Sequence, residues 1–118
     1  MRHRSPNQSR LQADIYRLLT QLMQREISDP RLADINITRV ESTPSGHGMI
    51  IWIHRLEVKD AEECERGLNK LAPHFMHLLR HSLPKQRLPK IQFRWDIALE
   101  KGDKVLSLLH DLNRAQSP

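Results

Sequence analysis

Apolar residues recur at helical spacing from Leu11 through Ile15, Leu18, Leu19 and Leu22 to Ile27, while Arg10, Arg17, Gln21 and Gln24 fall on the opposite side. Ser5-Pro6-Asn7-Gln8 precedes this run as an N-cap, a first-turn proline and a capping-box glutamine. Asp29-Pro30 closes it, because the residue before a proline resists the helical conformation. A first helix is therefore expected to run from residue 6 to the Asp29-Pro30 step. The period then changes. Ile35, Ile37, Thr38 and Val40 are β-branched and predict a strand over 35–41, and Pro44-Ser45-Gly46-His47-Gly48 reads as a turn with two glycines able to take positive φ. Met49 to Val58 is the expected second strand, with Ile51 and Ile53 on one face and Ile50 and Trp52 on the other, so both faces are expected to be at least partly covered.

Helical spacing returns after Asp60, a candidate N-cap with Glu62 and Glu63 in the first turn, where carboxylates offset the exposed amide dipoles. Ala61, Cys64, Leu68, Leu71 and Ala72 form one apolar stripe, and Phe75, Leu78, Leu79 and Leu83 form a second. Pro73 separates them, and because it has no amide to donate, the helix is expected to bend or restart there. Lys85 to Lys90 is a basic connection with Pro84 and Pro89, after which Ile91, Phe93 and Trp95 alternate as one face of a third strand. Val105, Leu106, Leu108, Leu109 and Leu112 predict a short terminal helix.

The expected order is helix, strand, strand, kinked helix pair, strand, short helix: an α+β arrangement with a three-stranded mixed sheet covered by helices. This is the order of a type II KH domain, which clamps RNA backbone with a G-x-x-G loop between its two central helices. The corresponding junction is Leu71-Ala72-Pro73-His74, without glycine. Residues 1–5 are expected to be loose, 6–112 to form one KH-like domain, and 113–118 to fray.

Charge adds a partner class to this outline. The 118-residue chain carries a formal net charge of +5, which favours polyanions without naming one. Its distribution is more informative. From Arg66 to Trp95 there is no acidic residue, whereas Arg66, Lys70, Arg80, Lys85, Arg87, Lys90 and Arg94 contribute seven positive charges. Residues 32–63 reverse the balance, with Asp34, Glu41, Glu57, Asp60, Glu62 and Glu63 against Arg39, Arg55 and Lys59. Such segregation predicts a polyanion-binding surface. No apolar run approaches the roughly 20 residues that cross a bilayer, and Met1 to Gln12 lacks the apolar segment of a signal peptide, so a cytosolic protein is expected.

The aspartate-proline step belongs to a longer motif. Asp29-Pro30-Arg31-Leu32, followed by Ile-x-Ile-Thr-x-Val-Glu at 35–41, resembles the signature of ribosome-binding factor A, and Pro89 to Asp96 followed by Glu100-Lys101-Gly102 is similar to that family's third strand and tail. The resemblance implies an assembly factor that binds the small ribosomal subunit and helps mature 16S rRNA near its 5′ helix, with a role in cold adaptation. It also implies a KH-like fold in which an Ala-x-Gly kink replaces the glycine loop; Leu71, Ala72 and Pro73 stand at those positions here. The hairpin departs as well, with Ser45-Gly46-His47-Gly48-Met49 where the family usually carries Asp-Leu-Ser-x-Ala.

The candidate RNA-binding residues are Arg10, Arg17, Lys70, His74, His77, Arg80, His81, Lys85, Arg87 and Lys90, with Arg80, Lys85, Arg87 and Lys90 at the centre because each neutralised phosphate releases counterions. Arg10 and Arg17 join only if the first helix packs beside the second pair. His74, His77 and His81 share a helix face; a metal site there is disfavoured by the absence of a nearby carboxylate and by the surrounding cations, so neither metal nor cofactor is expected. Trp52, Phe93 and Trp95 are assigned to the core in preference to base stacking, since few other large side chains are available to fill it. Cys64 has acidic neighbours that raise its pKa, and no catalytic motif is present, so a non-enzymatic monomer acting on the small subunit is expected. A protein-interaction module that docks the same basic face on an acidic partner is the alternative.

Overall fold

A computed structural model describes residues 6–57 and 60–99. Helix α1 runs Pro6–Glu26, a single 3-10 turn follows at Pro30–Leu32, strands β1 and β2 span Asn36–Ser42 and Gly48–His54, helix α2 spans Ala61–Ser82, and β3 spans Lys90–Trp95. The sheet order is β1-β2-β3, with β1 and β2 antiparallel and β2 and β3 parallel. The fold is therefore α+β with a three-stranded mixed sheet. The short terminal helix expected beyond Gly102 lies outside the described residues.

Both helices pack on the same side of the sheet. Ile15, Leu19, Leu22 and Met23 from α1, and Cys64, Leu68, Phe75, Met76 and Leu79 from α2, join Ile37, Met49, Ile51, Ile53, Ile91, Phe93 and Trp95 in one core cluster. Phe75 and Phe93 meet edge to face at 5.9 Å between ring centroids, a geometry that the ring quadrupoles favour. Burying each such large side chain contributes about 1.5–3 kcal/mol. The alternation of Ile91, Phe93 and Trp95 is inward as expected, with Lys90, Gln92 and Arg94 facing out.

A bulge refines β1. Ile37 pairs with Ile53 and Arg39 with Trp52, which leaves Thr38 as the extra residue. The insertion shifts the two-residue parity, so Ile37 and Val40 both face inward although they are three apart. The hairpin closes between Thr43 and Gly48, whose backbones exchange a 3.0 Å bond from Thr43 N to Gly48 O. Of the two turn glycines only Gly46 takes positive φ, at 75°. Gly48 instead opens β2, where an added Cβ would lie 3.1 Å from the Thr43 side chain.

Three expectations change. Strand β2 stops at His54 and does not reach Val58, which lies outside the described residues, because Arg55 turns away: its Nη1 donates to the Arg31 carbonyl at 2.9 Å and its Nε to the Glu57 carbonyl at 3.1 Å. Asp60 does stand at the N-cap of α2, but in a left-handed conformation with φ 53° and without a side-chain cap bond. The two apolar stripes around Pro73 belong to one helix: α2 does not restart, and both halves face the same core. Pro73 is exposed, so its ring meets no packed neighbour on that side, and the lost donor is the one that would have reached the Asn69 carbonyl.

Candidate nucleic-acid interface

Helical geometry turns the basic composition of α2 into a stripe. Arg66, Lys70, His74, His77 and His81 follow at spacings of four, four, three and four, and with Arg80 they cover roughly a third of the helix circumference. All six are exposed, on the side away from Leu68, Phe75 and Leu79. Among the described residues Arg66, Lys70 and Arg80 make no ion pair, whereas His74 Nε2 lies 3.5 Å from a Glu26 carboxylate oxygen on α1. His77 and His81 turn their Nε2 atoms toward each other at 3.3 Å, with the rings edge to face. The three histidines thus do not converge on one point. No group of three or more metal-capable side chains occurs among the described residues.

Lys85 and Arg87 are exposed in the connection after α2, which is anchored by the half-buried Leu83 and Leu88. Lys90 behaves differently. It opens β3 on the outward side with Gln92 and Arg94, so the basic stretch from Arg66 to Arg94 is folded onto two sides of the molecule. Arg10 and Arg17 are exposed on α1. Arg17 leans on Asp14 at 3.7 Å, and Glu26, which meets His74 of the stripe, lies about two and a half helical turns beyond Arg17 and about four and a half beyond Arg10. Leu71 and Ala72 are half-buried against the core and Pro73 is exposed within the stripe, so the helix presents a side-chain surface where a glycine loop would present backbone.

The outward face of the sheet holds residues that the linear reading undervalued. Arg39, Trp52 and Arg94 are register neighbours across the three strands, as are Glu41, Ile50 and Gln92. Trp52 lies outside the core cluster, half-buried, whereas Phe93 and Trp95 are buried within it, so the core assignment holds for two of the three aromatics. Ile50 and Trp52 alternate with the buried Met49, Ile51 and Ile53 of β2, a signal present in the alternation itself. The Trp52 indole donates to Glu41 Oε1 at 2.8 Å, and the Arg39 guanidinium sits over the ring, 4.6 Å from its centroid. Buried Asp96, 4% exposed, accepts from Thr38 Oγ1 and from the Leu99 amide at 3.0 Å, and lies 3.7 Å from Arg39 Nε. Burial alone would raise its carboxyl; the Thr38 and Leu99 hydrogen bonds, with Arg39 and His54 nearby, outweigh that and hold it below the ordinary value.

Two further polar residues face the free edge of β3. Asn69 donates to the Phe93 carbonyl at 3.0 Å and accepts from the Phe93 amide at 2.8 Å, and one turn earlier Glu65 accepts from the Trp95 amide at 3.1 Å. These side chains continue the backbone pairing where a fourth strand would lie. A cleft of about 1100 Å³ runs beside the 3-10 turn and the N-terminal half of α2. Within it Arg31 reaches Asp29 and Glu63, each at 3.0 Å, while Arg66 and Lys70 of the stripe line its rim. Cys64 beside it is buried, and that burial pushes its thiol up, with Asp60 and Glu63 adding to the effect and Arg55 opposing it.

An α+β sheet with both helices on one side and an exposed cationic helix stripe defines a KH-like domain whose glycine loop is replaced by continuous helix. Residues 7–109 match the ribosome-binding factor A family, and the chain belongs to it. Ribosome-binding factor A of Lactobacillus gasseri is 33% identical over 116 residues, covering 97% of this chain and 92% of that one. The crystal structure of the Thermus thermophilus factor superimposes with a TM-score of 0.62 at 22% identity, over 72% of this chain and 91% of that one. The Thermus factor as fitted into a cryo-EM map of a complex with the 30S subunit gives a TM-score of 0.59 over the same shares, also at 22% identity. Among the described residues no helix is long and apolar enough to cross a membrane.

Proposed function

We propose that this chain is a non-enzymatic, monomeric cytoplasmic factor that associates with the small ribosomal subunit and assists maturation of 16S rRNA. The observation that carries the reading is the exposed stripe of Arg66, Lys70, His77, Arg80 and His81 on α2, continued by Lys85 and Arg87 and free of carboxylate partners among the described residues. Phosphates are the complementary ligand, because a nucleic acid releases its condensed counterions when unpaired guanidinium and ammonium groups neutralise its phosphates. Contact by side chains fits a helix that runs through Pro73, where no glycine lets backbone approach RNA. Family membership and the 30S complex of the Thermus relative support the choice of partner.

Co-sedimentation with isolated small subunits over a salt series tests this. Binding is expected at low salt and should fall steeply as salt rises, with log affinity linear in log salt. Binding that ignores salt removes the phosphate contacts, and equal affinity for acidic proteins and subunits favours a protein-docking module.

A further inference from the structure

The sheet face opposite the helices carries a half-buried indole among cations. Trp52 is held in orientation by its bond to Glu41, and Arg39 already stacks on it as a flat cation. The two nearby carboxylates, Glu41 and Asp96, both lie 3.7 Å from Arg39. Arg94, the register neighbour of Trp52 on the other side, and Lys90 below it make no ion pair among the described residues. Positive charge is therefore left over along β3 only. Gln92 stands exposed between them with both a donor and an acceptor.

We infer that this face is a second RNA contact, a stacking site for single-stranded bases on the Arg39–Trp52 pair, with Arg94 and Lys90 holding the flanking phosphates and Gln92 meeting a base edge. The site rests on the reading of the chain as an RNA-contacting factor and adds to it a different surface and a different chemistry. Bases splayed from a single strand stack on aromatic rings and on guanidinium planes, and a duplex offers neither face. An acidic protein surface would satisfy Arg94 and Lys90 through carboxylates, without the regular series of bases that continues the stack.

The experiment measures binding of a short fluorescein-labelled oligouridylate to the whole chain at low salt, beside an abasic strand of equal length and charge and beside isolated small subunits. The abasic strand is expected to bind about ten-fold more weakly, and Trp52→Leu should reduce oligouridylate affinity by about the same factor while leaving the abasic strand unchanged. Arg94→Gln should weaken both strands, and because Arg94 is exposed this variant keeps its fold even where thermal melting shows that Trp52→Leu does not. Equal binding of the two strands to the unaltered chain overturns the stacking site, as does an Arg94→Gln chain that binds like its parent. Subunit binding without oligouridylate binding overturns this site and leaves the proposed function standing. Failure with both ligands takes down the proposed function and this site with it.

Discussion

The two halves of α2 differ in how their polar side chains are engaged. In the first half acidic and amide side chains are tied to the rest of the fold, Glu63 to Arg31, Glu65 to the Trp95 amide and Asn69 to both backbone groups of Phe93, while the cations Arg66 and Lys70 of the stripe stay unmatched among the described residues. In the second half Arg80 and its exposed neighbours have no carboxylate among the described residues except the one Glu26 offers to His74. Both halves show the same depth of burial on their inner side, with Leu68 and Phe75 each fully buried. The difference teaches where to look for a ligand: a charge already matched inside the protein has little left to give a partner, whereas an unmatched one on a rigid helix is available.

Reversing the free cations at the end of α2 and in the connection after it should have the largest effect. Arg80→Glu, Lys85→Glu and Arg87→Glu together are expected to weaken small-subunit binding about a hundred-fold, about 2.8 kcal/mol at 1.4 kcal/mol per decade, and to flatten its salt dependence. Unfolding stability measured in urea should stay within about 0.5 kcal/mol, since these are exposed positions. The tied half should show the converse. Asn69→Ala leaves the Phe93 amide and carbonyl without their partner and is expected to cost about 2–3 kcal/mol of stability, read as a lower urea midpoint at unchanged slope. Retained subunit affinity in the folded fraction would confirm that the halves are separable.

Acid provides a third, smaller test. Asp96 has its folded carboxyl below the ordinary value, so its contribution is complete above the unfolded pKa near about 4 and is lost as pH falls through the lower folded value. Urea midpoints should therefore drop on acidification toward and below that range, and Asp96→Asn should make this acid limb shallower. The smallest effect belongs to α1. Arg17→Ala removes an exposed contact to Asp14 and a cation well away from the α2 stripe, so both stability and subunit affinity should remain within error of the parent. A clear loss of affinity would extend the interface onto α1.

The elements were legible because each states its own period. The apolar spacing of α1, the alternation of β3 and the acidic first turn of α2 are local properties, and each appears in the structure. Asp29-Pro30-Arg31-Leu32 was equally local: Asp29 accepts from the Arg31 amide at 2.9 Å and caps the 3-10 turn. The candidate site was legible only in part. Lys70, Arg80 and the histidines could be placed together because helix geometry relates them. Lys90 and Arg94 could not be separated from them in a linear charge count, although β3 carries them to the other face. Arg39 gave no signal, because its partner Trp52 is brought to it by a strand register that a bulge at Thr38 displaces.

The sequence by itself determined that this chain builds one apolar face per helix, a mixed sheet and a segregated positive charge, since these depend on spacing along the chain and on residue type. Only the tertiary structure decided which charges are matched and which remain free. Pairing is set by distance in space: Arg31 finds Glu63 from 32 positions away and Asn69 finds Phe93 from 24, while among the described residues the cations of the second half of α2 meet nothing of opposite sign beyond Glu26.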